Sequence, residues 1–317
     1  MPARPAGAGV ASARLSIFLG KGGVGRTTLA SAFAVDRATA GERVLLVSIV
    51  DQDNPASRIH HEAAGVDTAG RLELLNLDAR KLVDDLVRRV TRLGTIGEYV
   101  VRHPGYESLV DIVPGIRELA ILHTLARKRE EGFDRIVLDP PATGHGIHVL
   151  EAPEKSARIL AGPLKARALE LRDMLHDAAV TDVVIVTLPE EMPVRETLEL
   201  AMRLRAQGFP LDNVAVNKWW PRVFADEGSR RVLHALTRDE RARAAFERAI
   251  EGRTAIEVEP WLAALNLVAT QRAEAQGYLA ELRALPVKLS VVPYIPESSR
   301  RLLRVAEAMH APPEANA

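Results

Sequence analysis

The stretch that most constrains the fold is residues 15–28, LSIFLGKGGVGRTT. The run Leu15 to Leu19 breaks into Gly20-Lys21-Gly22-Gly23-Val24-Gly25, and the chain continues with helical composition from Arg26 to Phe33. This reads as strand, glycine loop, helix, with the loop at the carboxyl end of a buried strand. The spacing G-x-x-x-x-G-[basic]-Thr is that of a phosphate-binding loop, with Arg26 where the pattern carries Lys. Glycines let backbone N–H groups converge on an anion, and the helix N-terminus adds unpaired donors and its dipole. The candidate nucleotide-binding residues are therefore Gly20, Lys21, Gly22, Gly23, Val24, Gly25, Arg26, Thr27 and Thr28. Thr27 is the metal-side candidate, because a hydroxyl after the basic residue ligates Mg²⁺ in such loops. Arginine is a longer planar fork and lysine a compact point charge. Arg26 is expected to keep phosphate binding and to slow hydrolysis, by no more than the about 10²–10³ that losing one transition-state donor costs.

Further apolar runs, each suited to a buried parallel strand, follow along the chain. Arg43–Val50 ends at Asp51-Gln52-Asp53, and Phe133–Leu138 ends at Asp139. Thr181–Pro189, Asn213–Asn217 and Val287–Pro293 are three more, with amphipathic helices between them. The fold class is α/β: a doubly wound, mostly parallel sheet with helices on both faces, plus a helical insertion. One domain is expected over residues 1–317, with 1–13 and 311–317 as disordered tails and 151–180 and 222–285 as helical subdomain segments. Pro163 interrupts the first helical segment.

The lysine directly after the first glycine, giving K-G-G-V-G-x-T-T, carries a resemblance. It resembles the deviant loop of the dimeric phosphate-loop ATPases, which include ArsA-type arsenite pump ATPases, tail-anchored protein targeting ATPases and MinD/ParA proteins. The resemblance implies a nucleotide-sandwich dimer, bound to ATP and Mg²⁺, in which Lys21 reaches the partner's nucleotide. Such a role is similar to an arginine finger, worth about 10³–10⁵ in rate. In the arsenite-pump and targeting branch the second strand ends in D-P-A-H-S, whose Asp orients the attacking water. Here the loop is acidic but the motif is not kept: Asp51 is the first choice for that carboxylate and Asp53 the second, beside a plain helix-capping role.

Pro114-Gly115-Ile116-Arg117-Glu118 is similar to that branch's P-G-x-x-E turn. Asp139-Pro140-Pro141-Ala142-Thr143-Gly144-His145 resembles its D-T-A-P-T-G-H, with Pro140 replacing a Thr. The resemblance implies that Asp139 supports the metal and that Thr143, Gly144 and His145 form a nucleotide-responsive switch. Asn217 matches the Asn that reads the adenine edge, with Lys218 in place of Gln, and Pro293 to Pro296 resembles the loop beside the adenine. An amide suits a base edge because it is donor and acceptor at once.

Composition narrows the partners. There is no cysteine, which excludes disulfides, Cys-ligated zinc, iron–sulfur clusters and a thiolate arsenite site. Lys plus Arg and Asp plus Glu balance at 42 each, so nothing points to nucleic acid. The start has no apolar signal core, and a cytoplasmic location is expected. The expected partner is a second copy or a related ATPase. A membrane-protein client is a third alternative, against which the missing cysteines and the mere five methionines count, and arsenite transport has the least support.

Overall fold

The computed structural model describes residues 14–50, 58–91, 113–140, 146–220, 227–250, 258–296, 298 and 300–310. Seven strands form one sheet, every adjacent pair parallel: β1 (Arg14–Leu19), β2 (Val44–Val50), β3 (Leu72–Asp78), β4 (Arg135–Asp139), β5 (Thr181–Thr187), β6 (Leu211–Trp219) and β7 (Lys288–Pro293). Their spatial order is β3-β2-β4-β1-β5-β6-β7. The chain winds outward on one side of β1 and then returns to build the other side. The switch point, where a ligand crevice opens at the carboxyl ends of such strands, therefore lies at β1.

Eleven helices are described: α1 (Arg26–Thr39), α2 (Arg58–Ala64), α3 (Ala79–Thr91), α4 (Ile116–Lys128), α5 (Gly146–Ala157), α6 (Gly162–His176), α7 (Glu191–Ala206), α8 (Glu227–Arg238), α9 (Glu240–Ile250), α10 (Val258–Arg283) and α11 (Arg301–His310). Pro163 does break the fourth connection, standing in the first turn of α6, where its missing N–H is harmless.

The two faces of the sheet carry separate cores, as the two-residue period of a strand requires. Leu15, Ile17 and Leu19 of β1 join the core under α3 to α7 and the second half of α10. Phe18 points the other way, into the core under α1, α2 and α11. Each such residue contributes about 1.5–3 kcal/mol on full burial. Helix α1 lies close on the sheet because its inner face is small: Ala30, Ala32, Ala34 and Ala38 are fully buried beside Leu29 and Val35. A third, small cluster of Leu233, Leu236 and Leu262 joins α8 to the first half of α10. Trp219 is fully buried, with the Arg272 guanidinium of α10 over its ring at 5.7 Å, which ties this helix to the end of β6. No helix among the described residues is long and apolar enough to cross a membrane.

Candidate nucleotide site

The glycine loop leaves β1 at the switch point and delivers α1 directly. Two of its glycines are required by contact. A Cβ on Gly20 would collide with the Val186 carbonyl at the end of β5, and one on Gly25 would collide with Asn217 Nδ2. Gly25 also has φ of +86° and forms the N-cap of α1 with no side-chain cap, so no N-cap side chain occupies the first N–H groups of the helix. Around Gly23, by contrast, a Cβ would meet nothing within 4 Å. The loop is thus tight against the protein at its two ends and open at its crown, the shape an anion cradle needs.

Arg26 does not extend from this cradle. It is 5% exposed, and its Nε donates to Asp139 Oδ1 at 3.0 Å. Its Nη1 donates to the Gly20 carbonyl at 3.1 Å and its Nη2 to the Pro140 carbonyl. The guanidinium therefore ties the start of the loop to the end of β4. Asp139 is brought there because β4 is the neighbour of β1, and it is buried. His60 of α2 stands at its other side, Nε2 to Oδ2 3.4 Å, with neither ring nitrogen hydrogen-bonded among the described residues. Thr27 is half-buried and Thr28 buried at the start of α1.

Lys21 is exposed and lies on Glu196 of α7, Nζ to Oε1 2.5 Å, within its own chain. Asn217 sits beneath the loop. Its Nδ2 donates to the Val24 carbonyl at 2.8 Å, and its Oδ1 accepts the Lys218 N–H at 2.9 Å. Lys218 in turn directs Nζ at the Gly23 carbonyl, 3.4 Å away. In this arrangement Asn217 holds the crown of the loop in place. Pro293 ends β7, and the Tyr294 N–H bonds the Trp219 carbonyl at 2.9 Å, which sets the Pro293 to Pro296 segment beside the end of β6. Asp51, Asp53, Thr143, Gly144 and His145 lie outside the described residues.

The structure thus brings Gly20, Arg26, Asp139 and Asn217 together at one end of the sheet. Sequence reasoning missed His60, Glu196 and Lys218 as neighbours of the loop. His60 and Glu196 lie in helices whose composition marks only a solvated face, and no spacing rule reaches from them to residues 20–26. Among the described residues no group of three or more His, Cys, Asp and Glu is placed to hold a metal ion. A hard cation suits the chemistry of the Thr27 hydroxyl and the Asp139 carboxylate. The arrangement does not suit it at Asp139, where Arg26 already supplies the counter-charge.

The family model for anion-transporting ATPases matches residues 13–168 and 163–244, which takes in the loop, β4 and β6. The chain belongs to this family. The chain is similar to ATPase BagA of Mycobacterium tuberculosis, 28% identical over 221 residues, or 65% of this chain and 65% of that protein. Protein Rv2184c of the same organism is 29% identical over 260 residues, covering 66% of this chain and 59% of the relative. The arsenical pump-driving ATPase of Escherichia coli is 30% identical over 199 residues, 61% of this chain and 33% of that one. The match thus spans just under two thirds of the mycobacterial ATPase and a third of the pump protein. Membership of the anion-transporting ATPase family accords with the parallel sheet, and with a phosphate-binding loop placed at its switch point.

Proposed function

We propose that this protein is an ATP-binding, dimerising ATPase whose nucleotide state sets the conformation of the dimer and so drives or regulates a partner. The observation that carries the reading is the loop: open at its crown, glycine-dependent at both ends, and feeding an N-terminus of α1 that has no side-chain cap. Phosphates lie on the N–H groups of residues 22–28, with Thr27 as the donor to magnesium. Asn217 and Lys218 hold the crown from below, and the Pro293 to Pro296 segment borders the base. The segments that hold Asp51 and Thr143 to His145 respond to the γ-phosphate. Lys21, parked on Glu196 in the single chain, turns to the partner's nucleotide when the dimer closes. Positioning and charge stabilisation supply most of catalysis in phosphoryl transfer, so a lysine supplied in trans couples turnover to assembly.

A second reading is favoured by the bonds of Arg26. With its guanidinium spent on Asp139 and two carbonyls, the chain binds nucleotide but turns over little, and it pairs as a regulatory subunit with an intact relative. Single-turnover hydrolysis of ATP by the native chain, Lys21→Ala and Arg26→Lys, with light scattering on the same samples, separates the two. Turnover that Lys21→Ala abolishes supports the active dimer. Binding without turnover, with hydrolysis gained in Arg26→Lys, supports the regulatory subunit. A native chain that binds no ATP at all refutes both.

A further inference from the structure

We propose that Arg26 acts as an internal cation for Asp139, so that nucleotide binding in this chain depends little on magnesium. This rests on the nucleotide reading above. In phosphate-loop ATPases with lysine, the acidic residue at the end of the strand beside the loop serves the metal, and the lysine serves the phosphates. Here the two groups serve each other.

Three features carry the inference. The pair is sealed: Arg26 and Asp139 are 5% and 6% exposed, and the Nε–Oδ1 contact is 3.0 Å. A buried carboxylate is strongly disfavoured without a counter-charge, so Asp139 has its compensation before any metal arrives. The bonding is also spread over three acceptors. Nε, Nη1 and Nη2 reach Asp139, the Gly20 carbonyl and the Pro140 carbonyl, and the planar fork of arginine provides the three directions at once. An ammonium would have to reach all three from one atom. Finally, both oxygens of Asp139 have a side chain against them, Arg26 at Oδ1 and His60 at Oδ2. The carboxylate thus has a guanidinium against one oxygen and an imidazole against the other, where a metal-bound water would otherwise bond.

The arginine at residue 26 is therefore more than a poor substitute for lysine. It moves the positive charge from the mouth of the cradle to its floor and makes the metal's acidic partner a structural residue.

The test is titration of the full-length chain with a fluorescent ATP analogue, in excess magnesium and again in EDTA. The native affinity is expected to change less than about threefold on chelation. Arg26→Lys, which frees Asp139, is expected to lose about tenfold or more, the scale on which outer-shell metal partners act. A native chain that loses as much as Arg26→Lys overturns the inference while leaving nucleotide binding intact. If neither form binds the analogue under either condition, the functional reading falls and takes this one with it. A thermal-unfolding cycle of Arg26→Lys, Asp139→Asn and the double variant, without nucleotide, provides the structural arm. Non-additive shifts support the pair, and additive ones overturn it whatever the nucleotide data show.

Discussion

Glu151 offers the sharpest test of how the segment after β4 is held. It lies on α5, the helix that follows residues 141–145, and it is 6% exposed. Its carboxylate accepts Lys155 Nζ at 2.7 Å from its own helix, and from α7 it accepts Gln207 Nε2 at 3.0 Å and an Arg203 N–H. Burial pushes this acid up, but the bonds from Lys155, Gln207 and Arg203 more than reverse it, lowering it from 4.5 to about 2. At about 1.36 kcal/mol per unit that is at most ~3–4 kcal/mol, and solvent screening of the half-exposed Arg203 and Lys155 reduces it to about 1–2 kcal/mol. Because the folded value is depressed, the stabilisation is complete above the unfolded value near 4.5 and is lost as pH falls toward 2. Glu151→Gln, followed by urea unfolding, is expected to cost about 1–2 kcal/mol at pH 7 and progressively less below pH 4. A deficit as large in acid as at neutrality would refute the ionic origin. No deficit at pH 7 would refute the coupling of α5 to α7.

Other expectations follow from single contacts. Gly25→Ala places a Cβ on a left-handed residue against Asn217 Nδ2. Its strain of about 1–2 kcal/mol should leave circular dichroism native while removing binding of the ATP analogue, and unchanged binding would sink the cradle geometry. Glu196→Gln releases Lys21 from an exposed pair, so stability should move by less than about 1 kcal/mol. Light scattering with ATP should then show dimers at lower protein concentration, and an unchanged profile would mean that the parked state does not restrain Lys21. Burial, helped by Arg167 and Arg127, holds His123 down at about 4 against its ordinary 6.5. The unfolded chain therefore takes up a proton first, and stability should fall as pH drops from 6.5 toward 4. His123→Gln should flatten that slope in urea midpoints, and an equally steep slope would place the acid sensitivity elsewhere.

Much of the architecture was legible in the chain. The runs Arg43–Val50, Phe133–Leu138 and Thr181–Pro189 are largely apolar, the mark of strands buried on both faces, and the strands they form, β2, β4 and β5, all lie inside the sheet. The α/β class and the parallel sheet followed from these runs and the helices between them. The loop was legible because its demands are local: Gly20 and Gly25 are needed where they stand for close approach and positive φ, and the helix begins at the next residue.

What the sequence alone determined is therefore what neighbouring residues impose on one another: strand, loop, helix, and the residue types that an anion cradle requires. What the tertiary structure decided is which side chains meet across that cradle. Arg26 and Asp139 are 113 residues apart, Lys21 and Glu196 175, and Asn217 and Val24 193. These pairs exist because the order β4-β1-β5-β6 gathers the carboxyl ends of four distant strands beside one loop. No local period or spacing encodes that juxtaposition. The role of Arg26, pointing back to Asp139 rather than out to a phosphate, is set by the burial and the acceptors it finds only once the sheet has formed.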